Sequence, residues 1–177
     1  VEVDNRPIYF SLKSTGTVTF FNSGVMKVLK EVEIKKGQIT NRNGLALLKL
    51  LGLNQSKFCD VFNTYGTKMK RYNENVTNKI NKHNLIKLLL SGIGYGYHYV
   101  HSVKNQVKNF KLTKALATKL ANPSTAIAYY GGKTKPGKRI DIEVETPMIS
   151  LKFNIRNKQG GVYPSHIMCD YVFKRYE

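Results

Sequence analysis

The stretch from Arg139 to Arg156 allows few folds. Its apolar residues fall at every second position on both sides of Thr146-Pro147-Met148: Ile140, Ile142 and Val144 before, Ile149, Leu151, Phe153 and Ile155 after. A period of two puts them on one face of a β-hairpin turning at Pro147, and that face must be buried under another layer. The opposite face then carries Asp141, Glu143 and Glu145 and, across the turn, Ser150, Lys152, Asn154 and Arg156. A chain with this hairpin needs more strands to flank it and helices or a second sheet to cover it.

Both are legible. At the N-terminus, Ile8, Phe10 and Leu12 alternate with Tyr9, Ser11 and Lys13, and Val1–Asp4 precedes them across a turn at Asn5-Arg6-Pro7. This predicts a first hairpin with Val1, Val3, Ile8, Phe10 and Leu12 facing the core. Thr17–Phe21, Thr125–Tyr130 and His166–Phe173 read as further strands. Residues 25–36 fit a short helix running into a strand. Between the β sections the period changes. Leu45–Leu51 reads as a helix stopping at Gly52. Ser56–Tyr65 reads as another, with Gly66 after its end, and Thr77 caps a third that runs to about Leu90. Val103–Ala121 reads as a long helix ended by Asn122-Pro123, with Lys104, Lys108 and Lys111 along one side. The expected class is α+β: a mixed or antiparallel sheet from N- and C-terminal strands with a helical middle section. One domain is expected over 1–177, β-rich in 1–40, helical and basic in 41–122, β-rich in 123–177.

Charge narrows the function. The chain's 177 residues include 29 Lys+Arg against 11 Asp+Glu, a net charge of +18. The excess is segregated. From 75 to 140 there is no acid, whereas 12 Lys/Arg and three of the four histidines lie there. Segregation of this kind is the electrostatic footprint of a polyanion partner, DNA or RNA. The lysines at 104, 108, 111, 114 and 119 form either a phosphate-contacting face or a solvated one. Gly132-Lys133-Thr134 ends like a P-loop, but Ile127 stands where the first glycine is required, so ATP binding is rejected. Lys133, Lys135, Lys138 and Arg139 of that Gly/Lys/Pro loop can still clasp a phosphate backbone. Lysines outnumber arginines 23 to 6, which favours positioning contacts over bidentate guanine readout. Tyr95, Tyr97, Tyr99, His98 and His101 sit in the same acid-free stretch, where aromatics among cations can stack bases or pack a glycine-rich strand into the core.

Other classes find little footing. No apolar run approaches the roughly 18 residues of a membrane span, and no signal-peptide pattern follows Val1. Cys59 and Cys169, far apart in apolar surroundings, read as small buried hydrophobes, and no paired ligands at zinc spacing are present. Nothing in the sequence sets the oligomeric state.

On the outward face of the Arg139–Arg156 hairpin, three carboxylates beside a lysine either hold a divalent metal or form cross-strand ion pairs. Here a resemblance enters. An acid-bearing strand, a turn and a second strand ending in (Asp/Glu/Ser)-x-Lys resembles the active hairpin of PD-(D/E)xK nucleases. Ile149-Ser150-Leu151-Lys152 after Asp141 is similar to it, and so is Ile8-Tyr9-Phe10-Ser11-Leu12-Lys13 after Glu2, with serine in place of the acid in both. The resemblance implies Mg²⁺ held by Asp141 and Glu143 with Lys152 assisting the attacking water, or a site built from Glu2, Ser11 and Lys13; only one of the two hairpins can be the active one. The expected protein is a cytoplasmic nucleic-acid-binding domain of a bacterial or phage-infected cell, with Mg²⁺-dependent phosphodiester cleavage at one hairpin. The alternative is a non-catalytic binding protein or a phage or viral structural protein.

Overall fold

The computed structural model describes residues 2–3, 5–14, 18–103 and 106–174. In chain order its elements are β1 (Glu2–Val3), β2 (Arg6–Pro7), β3 (Phe10–Lys13), β4 (Val18–Gly24), α1 (Glu31–Lys35), α2 (Arg42–Leu50), α3 (Gln55–Thr64), β5 (Tyr72–Asn75) and α4 (Lys82–Leu89). A π-helical turn, Leu90–Gly94, continues α4. Then follow β6 (His98–Val103), β7 (Gln106–Lys111), α5 (Lys114–Leu120), β8 (Thr125–Tyr130), β9 (Arg139–Glu145), β10 (Ile149–Arg156) and β11 (His166–Phe173).

The hairpin of β9 and β10 sits in the middle of a six-stranded antiparallel sheet ordered β4-β11-β10-β9-β8-β5. The N-terminal strand β4 pairs with the last strand, β11, so the sheet draws on both ends of the chain. All seven apolar residues of the hairpin pattern are buried. Helix α3 lies against β8 and β9, α1 against α3, and α2 and α5 against α4, so the helices cover the sheet's inner face. The turn is closed by Thr146, whose hydroxyl donates to the Ile149 carbonyl and accepts from the Met148 and Ile149 amides. The class is α+β.

Four local expectations change. First, 103–121 is not one helix. It contains the second half of a β-hairpin, β6–β7, and a short helix, α5, that begins where the Thr113 hydroxyl caps the Leu116 amide. The lysine spacing matched a helix, but Tyr99 and Phe110 stack across the hairpin at 5.1 Å, and that packing favours strands. Second, residues 25–36 are turns followed by α1, with no strand. Third, Thr77 caps nothing. Its hydroxyl exchanges hydrogen bonds with the backbone of Ala126, and α4 starts at Asn81, whose side chain accepts from the Asn84 amide. Fourth, the first hairpin does not form as expected. β1 pairs only with β2, while β3 joins a separate three-stranded sheet, β3-β6-β7, running parallel to β6. Its alternation is also reversed: Phe10 and Leu12 are exposed, whereas Ser11 and Lys13 are half-buried.

Candidate nucleic-acid interface

The chemistry-bearing face of the central hairpin points away from the helices. The register sets Glu145 opposite Ser150, Glu143 opposite Lys152 and Asp141 opposite Asn154. On its other side Lys152 pairs with Asp170 of β11. Lys152 therefore lies between two acid-bearing strands, but its direct neighbour is Glu143 rather than Asp141.

Asp141 is committed elsewhere. One of its oxygens accepts from Arg139 Nη2 at 2.6 Å, from Arg139 Nε at 3.2 Å and from the Asn154 amide. The other accepts from the Lys133 backbone N–H at 2.8 Å. Four donors converge on this carboxylate, three on one oxygen and one on the other, so a cation there would share it with them. Asp141 holds the 131–138 loop onto the hairpin. Glu143 is different: one oxygen meets the exposed Lys133 ammonium at 2.5 Å, and that bond raises the lysine's pKa. Glu145 accepts from the Ser150 hydroxyl at 2.7 Å and the Lys174 ammonium at 2.9 Å. Burial pushes its carboxyl up, but these bonds outweigh burial and hold it below the ordinary value. Mg²⁺ is held in proteins by one or two carboxylates together with phosphate oxygens and water. Glu143, with one partner and a half-buried carboxylate, fits that requirement. Among the described residues no three His, Cys, Asp or Glu side chains converge.

Beside this face two loops meet. The 131–138 loop turns on Gly131 and Gly132, both at φ +85°. A Cβ on Gly131 would come within 2.4 Å of the Tyr65 ring, and one on Gly132 within 2.3 Å of the Lys135 carbonyl. Only glycine lets the chain pass there. The second loop, 65–71, supplies that tyrosine, and the Arg71 guanidinium donates to the Lys133 carbonyl at 3.1 Å. Together the loops gather Lys68, Lys70 and Arg71 with Lys133, Lys135, Lys138 and Arg139. A cleft of about 350 Å³ runs along Tyr65–Arg71. Lys68, Lys70, Lys135 and Lys138 form no ion pair among the described residues. Sequence reading found the 131–138 half of this cluster and missed the other. The signal was present in Lys68-Met69-Lys70-Arg71, a basic run after a helix end, but the contact joins residues 62 apart.

The remaining predicted residues are dispersed. Glu2 is exposed on β1, outside the sheet that holds Ser11 and Lys13, so these three form no common strand pair. Ser11 hydrogen-bonds Tyr99, whose phenol burial pushes up. Lys104 and Asp4 lie outside the described residues. Lys108 and Lys111 stand on opposite faces of β7, and Lys114 and Lys119 are exposed on α5, so these four described lysines form no single stripe. His98 and His101 point to opposite faces of β6, and His101 is buried edge-on to Tyr171. Cys59 and Cys169 are buried free thiols, and burial pushes the Cys59 thiol up to about 11. No helix among the described residues is long and apolar enough to cross a membrane.

No protein-family model, curated protein or solved structure matches this chain.

Proposed function

We propose that this chain binds the phosphate backbone of DNA or RNA across the 65–71 and 131–138 loops. The observation that carries this reading is the meeting of seven cations from two distant stretches at one end of the sheet, against the outward face of β9 and β10. Lysines without acidic partners at this end release counterions on contact with phosphates, which makes binding strong at low salt and insensitive to sequence. The Lys and Arg side chains are the donors that such a contact uses, since the N–H groups of Gly131, Gly132 and Gly137 are already donated within the loop.

A second reading is favoured by one arrangement: Lys152 set between Glu143 and Asp170, on the face that Lys133 joins to the basic loops. There the chain would hydrolyse the phosphodiester it binds, with Glu143 as the carboxylate that holds Mg²⁺ and Glu145 two residues on. Bound Mg²⁺ lowers the pKa of water and neutralises charge on the phosphoryl oxygens. Lys152 would orient the attacking water or the phosphate, and Lys133 would leave Glu143 for the incoming backbone. Asp141 keeps the loop in place throughout.

Fluorescence anisotropy over a salt series tests the first reading. Lys135→Ala and Lys138→Ala should each weaken binding to all sequences alike and lower the salt slope by about 1. Unchanged slopes in both would sink it. Incubation of plasmid, linear DNA and RNA with Mg²⁺ or EDTA tests the second. Cleavage that needs Mg²⁺ and disappears in Lys152→Ala while binding persists supports hydrolysis. Binding without cleavage leaves a non-catalytic nucleic-acid-binding protein.

A further inference from the structure

The three-stranded sheet carries a feature that phosphate contact does not use. Its inner face is part of the core: Tyr99 stacks on Phe110 and meets Phe20 edge-on, and His101 is buried. Its other face is open. Phe10 and Leu12 of β3 are 45% and 73% exposed, and Phe10 lies in one cross-strand row with His98 and Lys111. Phe10 and His98 approach at 5.6 Å between ring centroids. Just before the two strands, and one position out of step with this row, Tyr9 and Tyr97 stack nearly parallel at 5.2 Å. Phe10 and Leu12, which burial would suit, are held in water on a sheet that fixes their orientation.

The geometry points to this face as a platform for unpaired bases, so that the nucleic acid taken up by the chain is single-stranded, or opened, where it crosses β3 and β6. The inference rests on the nucleic-acid reading above and names the form of the ligand. Flat aromatic faces stack any base and so discriminate unpaired from paired nucleotides without reading sequence. Charge selects the occupant. β3, β6 and β7 contain no acidic residue, Lys111 lies on the exposed face, and Lys114 begins the helix that follows. A second copy placed here would bring like charges together with no carboxylate to offset them. A polyanion meets both the rings and the lysines.

The test compares a labelled oligothymidine of about 15 nucleotides with a blunt duplex of equal length, on the whole chain, using Phe10→Ala, His98→Ala and Phe10→Trp. Phe10 is exposed and His98 half-buried, and circular dichroism with thermal melting checks that the fold is kept. The expected result is a loss of single-strand affinity of roughly 5- to 100-fold in each alanine variant, with duplex affinity changed less than about 2-fold and Phe10→Trp binding like the unsubstituted chain. Alanine variants that bind both ligands like the unsubstituted chain would overturn the platform and leave the backbone reading standing. Failure of the unsubstituted chain to bind either ligand in a salt-sensitive manner would remove both. A concentration-dependent dimer in sedimentation, lost on Leu12→Asp while single-strand binding is unaltered, would assign the face to a second copy instead.

Discussion

Asp141 and Glu143 are two residues apart on one strand face, yet they have become different kinds of group. Asp141 receives two donors from Arg139, one from Asn154 and one from the Lys133 backbone, while Glu143 receives one exposed ammonium. Removing Asp141 leaves three donor groups at a largely buried site without an acceptor. Asp141→Ala should therefore destabilise the fold by roughly 2–3 kcal/mol, a fall in Tm of about 5–10 °C in metal-free buffer. Glu143→Ala removes one exposed ion pair and should move Tm by less than about 2 °C. Thermal melts in EDTA check both, and equal shifts would contradict the assignment. Glu74 makes a related point through pH. Its side chain accepts from Lys57 at 2.8 Å and Lys79 at 2.5 Å, and these bonds hold its carboxyl below the ordinary value. A lowered folded-state pKa means that its contribution is present above the unfolded carboxylate pKa and is lost as pH falls through the folded one. The Tm of the unsubstituted chain should drop faster than that of Glu74→Gln between about pH 5 and pH 3. Parallel curves would show that the pair contributes nothing.

At the scale of elements, the strands and turns of the second half were legible, and the sheet that the N-terminal strand joins was not. β8 and β11 run over the residues that alternation marks out, Thr125–Tyr130 and His166–Phe173, because one face of each is buried and period two is enforced by packing. In β3 the same alternation misled. The strand left the main sheet, and the phenol of Tyr99 gave Ser11 a partner on the inner side, so the polar positions turned inward. Period locates a strand but does not say which sheet it joins. The helix starts were hidden by their caps. α2, α3 and α4 all begin at asparagines, Asn41, Asn54 and Asn81, whose side chains accept from amides two or three residues on. Asparagine is common in this chain and reads equally well as a turn residue, so the signal was present but diluted. Asn54→Ala should cost about 1 kcal/mol, and Asn54→Asp should restore or exceed the original stability, since no acid stands in the first turn of α3. Urea unfolding of the two variants decides it; an aspartate less stable than alanine would refute the cap. The candidate site was half legible for the same reason as the fold. Lys133–Arg139 lies beside the hairpin in sequence, whereas Lys68–Arg71 reaches it through tertiary contacts, Tyr65 on Gly131 and Arg71 on the Lys133 carbonyl.

At the scale of the whole molecule, five of the 11 acids are used up at home. Glu31, Glu74, Asp141, Glu143 and Glu145 are each ion-paired, and six cations among the described residues share them. These few pairs leave 29 Lys+Arg against 11 Asp+Glu far out of balance, and the net charge of +18 is a self-repulsion that folding concentrates. Salt acts on these two terms in opposite directions. It weakens surface pairs that are each worth about 0–1 kcal/mol, and it screens the repulsion among the unpaired cations over a Debye length that shrinks from about 14 Å at 0.05 M to about 4 Å at 0.5 M. With so few pairs against so large an excess, the repulsion dominates, and Tm should rise with NaCl over that range. A polyanion does the same work more effectively at low salt, because it binds the folded basic end and stabilises it by mass action. The increment in Tm that an oligonucleotide confers should be largest at about 0.05 M NaCl and nearly gone at about 0.5 M, where counterion release no longer favours binding. Differential scanning fluorimetry with and without the oligonucleotide across this series measures both curves. A Tm that falls with salt in the free chain would mean that the ion pairs outweigh the repulsion. An increment independent of salt would mean that the contact is not with phosphates.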